Sequence, residues 1–305
     1  SILNLCAIVV NWNAGPILRD CVQSLSRQCA VIVVDNASTD QSCEGIEAIE
    51  HVTLIRAQHN LGFAAACNLG AQSTNANYLL FINPDAAALP GSLCGACAGL
   101  ERPENQHIGI VGVQLLDETN EVARSCANFP SVIKLVAQAI GLDKLVPSLS
   151  HFMTQWPHDE TREVDQVIGA FFLVRRKVFE QLGGFDERFF VYFEEVDFSC
   201  RAKQAGWKTL YLADVQAFHA GGGTSEQIKS TRLFYLLRSR LLFAYKHFGY
   251  LGFLTVGFAT LFLEPVSRSA LAVARWSWPT FKETWQAYGS LWRWLPRWAL
   301  RGETR

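Results

Sequence analysis

The chain has 305 residues, of which 50% are hydrophobic and 18% are charged, so it can bury a large core and is not globally disordered. Its net charge of -1 is the sum of an acidic body, residues 1–225, and a basic tail, residues 226–305. The tail contains twelve Lys and Arg but only four Glu. Because the body is acidic and the tail is rich in aliphatic residues and Trp, nucleic-acid binding is not expected.

The nine cysteines are odd in number and lie mostly in apolar or helix-like segments. This pattern is typical of reduced core thiols in a reducing compartment. No signal peptide precedes the first apolar run, which begins at Ile2. We therefore expect the body of the protein to be cytoplasmic.

The first hundred residues alternate apolar runs with helix-compatible stretches. The apolar runs predict buried strands at 5–10, 31–34, 52–55 and 78–82, and helices are expected near 16–27, 41–49 and 63–73. Buried strands that alternate with helices predict an α/β protein whose parallel sheet is covered on both faces.

Polar segments directly follow three of these strands: Asn11-Trp12-Asn13, the turn from Asp35 to Asp40, and Asn83-Pro84-Asp85. Such sheets bind ligands at the C-terminal ends of their strands. A carboxylate after the second strand can accept the imide N–H of uracil or thymine, and one Asp after the fourth can share a divalent ion with a nucleoside diphosphate. The structural alternatives are an Asx turn made by Asp40 and a simple Asn-Pro turn.

The segment from Asn60 to Gly70 is rich in small residues, which let a helix approach a ligand or another backbone closely. On this reading Asn68 faces a nucleotide. The alternative is tight packing of the helix on the sheet.

Farther along, strands are predicted at 108–116, at 164–174 with an interruption at Gly169, and as two short pieces at 208–212 and 215–219. Residues 117–160 are less regular and are expected to hold a flexible loop on the acceptor side. His219 precedes three glycines, so it can complete a metal shell while the glycines admit a phosphate. The alternative is a satisfied His beside a flexible linker.

Five carboxylates lie between Asp186 and Asp197, among aromatic residues. Carboxylates repel one another and are costly to desolvate, so this cluster predicts a metal, a cationic partner or a tuned proton acceptor. The alternative is the solvated first turn of a helix, where acidic residues are favoured.

The tail has a different character from the body. Residues 230–247 predict a basic amphipathic helix, and residues 248–263 carry no charge but are shorter than the roughly twenty residues that span a bilayer. Six of the nine Trp lie between Trp276 and Trp298, among Arg residues. This composition is typical of a membrane headgroup interface. The alternatives are a helical packing module and an oligomer interface.

Taken in chain order, these features resemble the family 2 glycosyltransferases with a GT-A fold. The order is an acidic turn after strand two, a small-residue helix, Asn83-Pro84-Asp85 after strand four, the acidic run, and His219 before glycines. The resemblance covers about residues 3–225. The Asn-Pro-Asp form and the segments 169–176 and 189–201 are similar to the bacterial rhamnosyltransferase branch of that family.

The resemblance implies roles for particular residues. Asp85 matches the last Asp of the family's DxD metal motif, and His219 matches the third metal-side ligand. Glu195 matches the catalytic base, with Glu194 before it and Asp197 at the following acidic position. The donor-binding residues on this reading are Asn11, Asn13, Asp35, Asn36, Asn68, Asn83 and Arg201. Two departures from the family pattern are Glu195 in place of the usual Asp and Asn83 in place of the first Asp of DxD.

These observations predict a GT-A glycosyltransferase domain over 1–225 and a basic, Trp-rich helical region over 226–305 that associates with the cytoplasmic face of a membrane. The expected reaction is inverting and uses Mg²⁺ or Mn²⁺ to move a sugar from dTDP-L-rhamnose to a lipid-linked or cell-envelope glycan. A UDP-hexose or UDP-galactofuranose donor is an alternative, because the base-binding turn does not separate uracil from thymine. A non-catalytic nucleotide-sugar-binding protein or membrane scaffold is the alternative of another class, and the oligomeric state is left open.

Overall fold

The structure is a computed structural model and describes residues 3–153, 156–221 and 229–305. The chain forms two compact units: the first comprises Ser1–Asn128, Phe152–Asp186 and Glu195–Glu226, and the second comprises Phe129–His151, Glu187–Glu194 and Gln227–Arg305. The second unit thus adds two earlier segments to the predicted C-terminal region. The boundary predicted after residue 225 and the glycines 222–223 lie outside the described residues.

The first unit is built on a mixed sheet of nine described strands in the order β3-β2-β1-β4-β10-β6-β11-β5, with β8 paired to β11. Strands β7 and β9 form a separate pair. The strands are β1 Leu5–Asn11, β2 Ala30–Asp35, β3 Val52–Arg56, β4 Tyr78–Ile82, β5 Ala86–Ala88, β6 Ile108–Leu116, β7 Cys126–Ala127, β8 Arg162–Val164, β9 Gln166–Val167, β10 Phe171–Arg175 and β11 Lys208–His219.

Ten α-helices lie in the described residues, and α4 and α7 to α10 belong to the second unit. The helices are α1 Ile17–Ser26, α2 Phe63–Gln72, α3 Ser92–Glu101, α4 Val132–Ala139, α5 Arg176–Gln181, α6 Glu194–Gln204, α7 Lys229–His247, α8 Gly249–Phe258, α9 Glu264–Ala274 and α10 Trp278–Arg301.

The first four strands confirm the predicted parallel sheet, since β1 pairs in parallel with β2 and β4, and β2 with β3. Every residue of β1 is buried. Leu5, Ala7 and Val9 pack in the hydrophobic cluster on one face, and Cys6 and Ile8 pack in the cluster on the other. A strand covered on both faces needs apolar residues at every position, which explains the continuous apolar run in the sequence.

Four predicted elements differ from the structure. The stretch 117–160, expected to hold a flexible loop, contains β7 and the helix α4. Residues 41–49 contain only a 3₁₀ turn, Ile46–Ala48, which follows the left-handed Gly45 (φ 71°). The run 164–174 is divided among β8, β9 and β10, and β10 runs antiparallel to both β4 and β6. The two short strands expected at 208–219 are one strand, β11, with a register shift between Leu212 and Gln216.

The nine cysteines are present as thiols, and seven of them are buried. Cys21, for example, is enclosed in the core, and its burial strongly raises the pKa of the thiol. These thiols therefore behave as small apolar residues.

The small-residue helix α2 packs tightly on the sheet. A Cβ added at Gly70 would lie 2.6 Å from Cγ2 of Ile8 in β1 and 3.4 Å from Cγ2 of Val34 in β2. Ala64, Ala66 and Ala71 of the same helix are buried. The absence of side-chain bulk therefore brings α2 onto the sheet, in agreement with the tight-packing alternative.

Gly70→Ala is expected to destabilise the protein by about 1–3 kcal/mol, because the added methyl group overpacks this contact. Gly289→Ala in α10 is the matched control, since a methyl group there meets no atom of the described ranges within 4 Å and Ala is the better helix former by about 1 kcal/mol. Urea denaturation of the full chain measures both variants. Unchanged stability in Gly70→Ala would contradict the close approach of α2.

The second unit contains one continuous helical stretch from Gly249 to Ala274, in which a π-helical turn, Ala259–Leu263, joins α8 to α9. It continues eleven residues beyond the uncharged run 248–263. In the described residues it is the one helix long and apolar enough to cross a membrane, by length and composition alone. The buried Glu264 in its middle pairs with Arg240 of α7 and with Arg268.

Candidate active site

Strands β1 and β2 end side by side, with Asn11 opposite Asp35 in the register. Asn11 is fully buried, and its Nδ2 donates to Oδ1 of Asp35 (2.9 Å) and to Oγ of Ser42 (2.8 Å). The Asp35 carboxylate also accepts from the backbone N–H and the hydroxyl of Ser38. Buried charges need such donors, and these contacts hold the carboxylate at the C-terminal edge of the sheet.

The turn after β2 is held by further side chains. Oδ1 of Asn13 accepts from the backbone N–H of Thr39 (2.7 Å) and of Asp40 (3.2 Å). Oδ1 of Asp40 accepts from the backbone N–H of Ser42 two residues on, which is the Asx turn considered above. Asn13 itself has a positive φ of 51°, which Asn tolerates better than most residues. Asn13 and Asp40 thus fix the turn that presents Asp35.

Two other predicted donor-binding amides form hydrogen bonds with backbone groups. Asn36 is buried; its Oδ1 accepts from Leu61 N (3.2 Å) and its Nδ2 donates to Gly62 O (3.1 Å), just before α2. Asn68 donates to the carbonyl of Phe185 (2.9 Å) and accepts from its N–H (3.0 Å). This geometry gives both amides a structural role, and their contact with a donor stays a prediction.

The Asn-Pro-Asp segment forms a turn between β4 and β5, in which the Ala86 N–H donates to the carbonyl of Asn83 (3.0 Å). The antiparallel pairing of β5 with β11 places His219 opposite Ala86, next to Asp85. The backbone of Ala220 also donates to the carbonyl of Asp85 (3.1 Å). Two residues 134 positions apart in the sequence are therefore neighbours at one edge of the sheet.

The side chains of Asp85 and His219 fit a divalent ion. Oδ1 of Asp85 is buried and has no hydrogen-bond partner among the described residues, although Nε2 of His219 lies 3.3 Å away. Two polar atoms that are close but form no hydrogen bond with each other can both face a third partner. A carboxylate oxygen suits Mg²⁺ or Mn²⁺, and the ring nitrogen of a neutral imidazole can serve as a further metal ligand. In the described residues no three His, Cys, Asp or Glu side chains form a metal-holding group, so the remaining ligands would come from phosphates or water.

The acidic run leads into α6, which begins at Glu194. Glu195 is the second residue of α6, so its carboxylate lies in the first turn, where the helix dipole favours negative charge. Tyr192 and Phe193, directly before the helix, have positive φ values of 69° and 66°. Strained backbone of this kind is concentrated at functional sites.

Asp197 and Arg201 form the internal brace of α6. Asp197 is fully buried, and Nε of Arg201 donates to its Oδ2 (2.9 Å). The other guanidinium nitrogens of Arg201 donate to the carbonyls of Leu182 (2.7 Å) and Gly184 (2.9 Å). These contacts tie α6 to the end of α5. They give both residues a structural role, while the catalytic role of Asp197 and donor binding by Arg201 stay predictions.

A short segment before β10 connects the two halves of the site. The carbonyl of Ala170 accepts from the N–H of Asn83 (3.2 Å), and a Cβ added at Gly169 would lie 3.7 Å from Cδ of Glu195. The Asn-Pro-Asp turn and Glu195 therefore approach two adjacent residues, Ala170 and Gly169. In the sequence Gly169 interrupts a predicted strand and begins the segment 169–176, and a glycine inside a strand pattern also signals close approach of another group. Ser38 and Ser42 gave no signal beyond turn chemistry.

The chain is similar to known glycosyltransferases in sequence. The family described as "Glycosyl transferase family 2" has a sequence model that matches residues 6–183. The chain is 30% identical over 234 residues to an N-acetylglucosaminyl-diphospho-decaprenol L-rhamnosyltransferase of Mycobacterium tuberculosis, a match that covers 70% of this chain and 75% of that protein. It is 22% identical over 244 residues to the low-salt glycan biosynthesis hexosyltransferase Agl10 of Haloferax volcanii, covering 78% and 75%.

A similar solved structure is the mannosyltransferase PcManGT from Pyrobaculum calidifontis in complex with GDP-Man and Mn²⁺. The TM-score is 0.56 at 14% identity, and the match covers 95% of this chain and 87% of that chain. At this identity the likeness concerns the fold.

Proposed function

Because the chain belongs to glycosyl transferase family 2 and has the GT-A fold, we propose that it is an inverting, metal-dependent transferase that moves a sugar from a nucleotide donor to a hydroxyl group. The observation that carries the proposal is the convergence of the Asn-Pro-Asp turn and Glu195 on residues 169–170. A site of this kind needs a leaving-group end and a proton-accepting end close together.

The proposed proton acceptor is Glu195. An acceptor hydroxyl must lose its proton as it attacks the sugar, and a carboxylate held at a helix N-terminus can take it. One base acting in a single displacement inverts the configuration at the sugar carbon. Glu194, buried at the first position of α6, is proposed to support this carboxylate environment.

The proposed donor end is the edge of the sheet. The carboxylate of Asp35, presented by Asn11 and Asn13, would accept the imide N–H of the base, and Asn83 lies at the diphosphate end. Asp85 and His219 would hold Mg²⁺ or Mn²⁺. When bound, this ion would neutralise the negative charge of the diphosphate leaving group. The Mn²⁺ in the structurally similar mannosyltransferase supports this part of the proposal.

We propose dTDP-L-rhamnose as the donor and a polyprenyl-linked glycan as the acceptor. The support is the mycobacterial relative, whose name specifies L-rhamnose transfer and a diphospho-decaprenol-linked substrate. A UDP-hexose or UDP-galactofuranose is the alternative donor, since one carboxylate at Asp35 recognises uracil and thymine equally well.

The test is a thermal-shift screen of the full chain against dTDP-L-rhamnose, UDP-glucose, UDP-galactose, UDP-galactofuranose and GDP-mannose, each with Mn²⁺ or with EDTA. A ligand that binds only the folded state raises its stability. A shift with dTDP-L-rhamnose that EDTA removes is the expected result. No shift with any donor would favour the non-catalytic scaffold, and a shift with a UDP-sugar alone would replace the rhamnose assignment.

The second unit is proposed to bind the cytoplasmic membrane surface in the plane of the membrane. One side of the helix Gly249–Ala274 is exposed and apolar along its length, through Leu251, Leu254, Phe258, Phe262, Val266 and Val273. In α10, Trp278, Trp285 and Trp292 are exposed at seven-residue spacing. The rings of Phe262 and Trp292 lie 5.7 Å apart, so the two stripes form one face, which we call the aromatic face.

The opposite side of the same helix argues for an in-plane position. Glu264 is buried there, paired with Arg240 and Arg268, so this side is packed in protein. A helix with one apolar face and one protein-packed face suits the headgroup boundary. The net charge of +8 in residues 226–305 adds attraction to anionic lipids, and Arg275 and Lys282 are exposed beside the Trp residues.

Phe258→Ser combined with Trp292→Ser is expected to lower binding to vesicles that contain anionic lipid by at least about tenfold. Both changes remove apolar area of the aromatic face that would be buried in the membrane. Leu145→Ser, at an exposed leucine of the same unit that is not one of the residues defining that face, is the control. Co-sedimentation measures both variants. Equal binding by the double variant and the wild type would contradict the assignment, and resistance of the wild type to carbonate extraction would indicate a crossing helix.

A further inference from the structure

The helix that carries Glu195 is entered through a loop of the second unit, residues 187–193. The last two residues of this loop, Tyr192 and Phe193, are both left-handed. A Cβ makes this backbone unfavourable, and neither residue has the short polar side chain that eases it. Such a pair persists only where its surroundings hold it. Whatever holds this loop therefore decides where α6 begins.

A hydroxyl of α7 holds the loop backbone. Oγ of Ser239 donates to the carbonyl of Val191 at 2.6 Å, one residue before the left-handed pair. Ser239 is 1% exposed, so water does not replace this bond. Loss of a buried donor leaves the carbonyl unsatisfied, and the loop can then relax toward ordinary backbone conformations.

Aromatic contacts from the same helix hold the loop on either side of that bond. The ring of Phe190 lies 5.1 Å from the ring of Tyr235, and the ring of Phe193 lies 5.3 Å from the ring of Phe243. Tyr235, Ser239 and Phe243 are four residues apart, so they share one face of α7. That face makes its contacts with the loop at three successive points.

The same loop has two further attachments within the second unit. The guanidinium of Arg238 lies 5.5 Å from the ring of Phe190, a cation–π contact of a buried cation. At the other end of the loop, Nη2 of Arg305 donates to the carbonyl of Glu187 (3.1 Å). The loop is thus fastened at its start, its middle and its end by the C-terminal region of the chain.

We infer that α7 positions the proton acceptor: Ser239 is a positioning residue for Glu195, and it acts through the carbonyl of Val191 and the left-handed pair that opens α6. This inference rests on the proposed role of Glu195. The loop is continuous with α6, so a change in the left-handed pair moves the first turn of the helix and the carboxylate on it. Small displacements of a reacting group cost large factors in rate.

The test is Ser239→Ala in the full chain, with Ser267→Ala as the matched control. Oγ of Ser267 also donates to backbone carbonyls of the second unit, those of Ala139 (2.7 Å) and Glu264 (3.1 Å), and both acceptors lie outside the loop 187–193. Phe243→Leu is a second variant that keeps apolar packing and removes the ring contact to Phe193. Turnover is measured with dTDP-L-rhamnose and polyprenyl diphosphate-linked N-acetylglucosamine, and hydrogen exchange is measured over residues 187–204.

The expected result for Ser239→Ala is a fall in kcat of about 10- to 100-fold, an unchanged KM for the donor, and faster exchange at residues 190–196. Ser267→Ala is expected to match the wild type in all three. Faster hydrogen exchange with an unchanged kcat would overturn the positioning role, and so would unchanged hydrogen exchange. A rise in the donor KM as large as the fall in kcat would also overturn it. A wild-type chain that turns over none of the screened donors would overturn the proposed function instead, and the exchange result would then decide alone whether Ser239 anchors the loop.

Discussion

Glu195→Gln is expected to lower kcat by about 10²–10⁴-fold, or ~3–5 kcal/mol in transition-state stabilisation, while donor affinity stays unchanged. The amide keeps the size of the carboxylate but cannot take a proton. Because Glu195 is the second residue of α6 and faces Gly169, the substitution leaves the donor end of the site untouched. Product formation gives kcat, and calorimetric titration with the nucleotide sugar gives donor affinity.

The control for this prediction is Glu180→Gln in α5, an exposed carboxylate whose surface pair with Arg176 contributes little to stability. It should turn over like the wild type. Near-normal turnover in Glu195→Gln would remove Glu195 from the role of base. If turnover is lost in Glu194→Gln but not in Glu195→Gln, Glu194 would be the base.

Asp85→Asn is expected to abolish the Mn²⁺-dependent part of donor binding and to lower kcat/KM by at least about 100-fold, or ~2.7 kcal/mol. The fold should be retained, because Oδ1 of Asp85 accepts no hydrogen bond from the part of the chain that the structure describes, and the carbonyl of Asp85 still accepts from Ala220. The measurements are the thermal shift with the donor, with and without EDTA, and the initial rate across Mn²⁺ concentrations.

Asp214→Asn in β11 is the matched control, since Asp214 is exposed and only distantly paired with Arg102 (3.9 Å). A metal-dependent shift that survives Asp85→Asn would mean that Asp85 does not hold the ion. A shift that is lost equally in both variants would point to general charge effects rather than to a site.

The two halves of the candidate site were predicted with different success. The strand-end segments could be located because a buried parallel strand is a continuous apolar run, and the polar residue that ends it is visible in the sequence. The proximity of Asp85 to His219 could not be derived from these patterns, because it depends on the antiparallel pairing of β5 with β11. That proximity entered only through the family resemblance.

The roles of several polar side chains depend on hydrogen bonds with backbone groups that are distant in the sequence. Asn36 and Asn68 are ordinary amides in the sequence, and their hydrogen bonds go to residues 25 and 117 positions away. Arg201 likewise satisfies two carbonyls at the end of α5. The order of residue types in a sequence does not show which backbone groups lie next to a given side chain in the folded protein.

The sequence by itself determined the parallel core of the sheet, the polar edge after its strands, the acidic start of α6 and the presence of a helix over residues 230–247, because local periodicity and burial encode each of these features. The amphipathic character predicted for that helix was wrong, since residues 237–244 of α7 are all buried, Arg238 and Arg240 included. Only the tertiary structure decided the antiparallel insertion of β10, the bracing roles of Asn68 and Arg201, and the length of the helix Gly249–Ala274. Glu264 ends the uncharged run in the sequence, but in the structure Arg240 and Arg268 pair with it and the helix continues. The physical reason is that long-range pairing of backbone and charge depends on three-dimensional proximity, whereas burial leaves a local pattern.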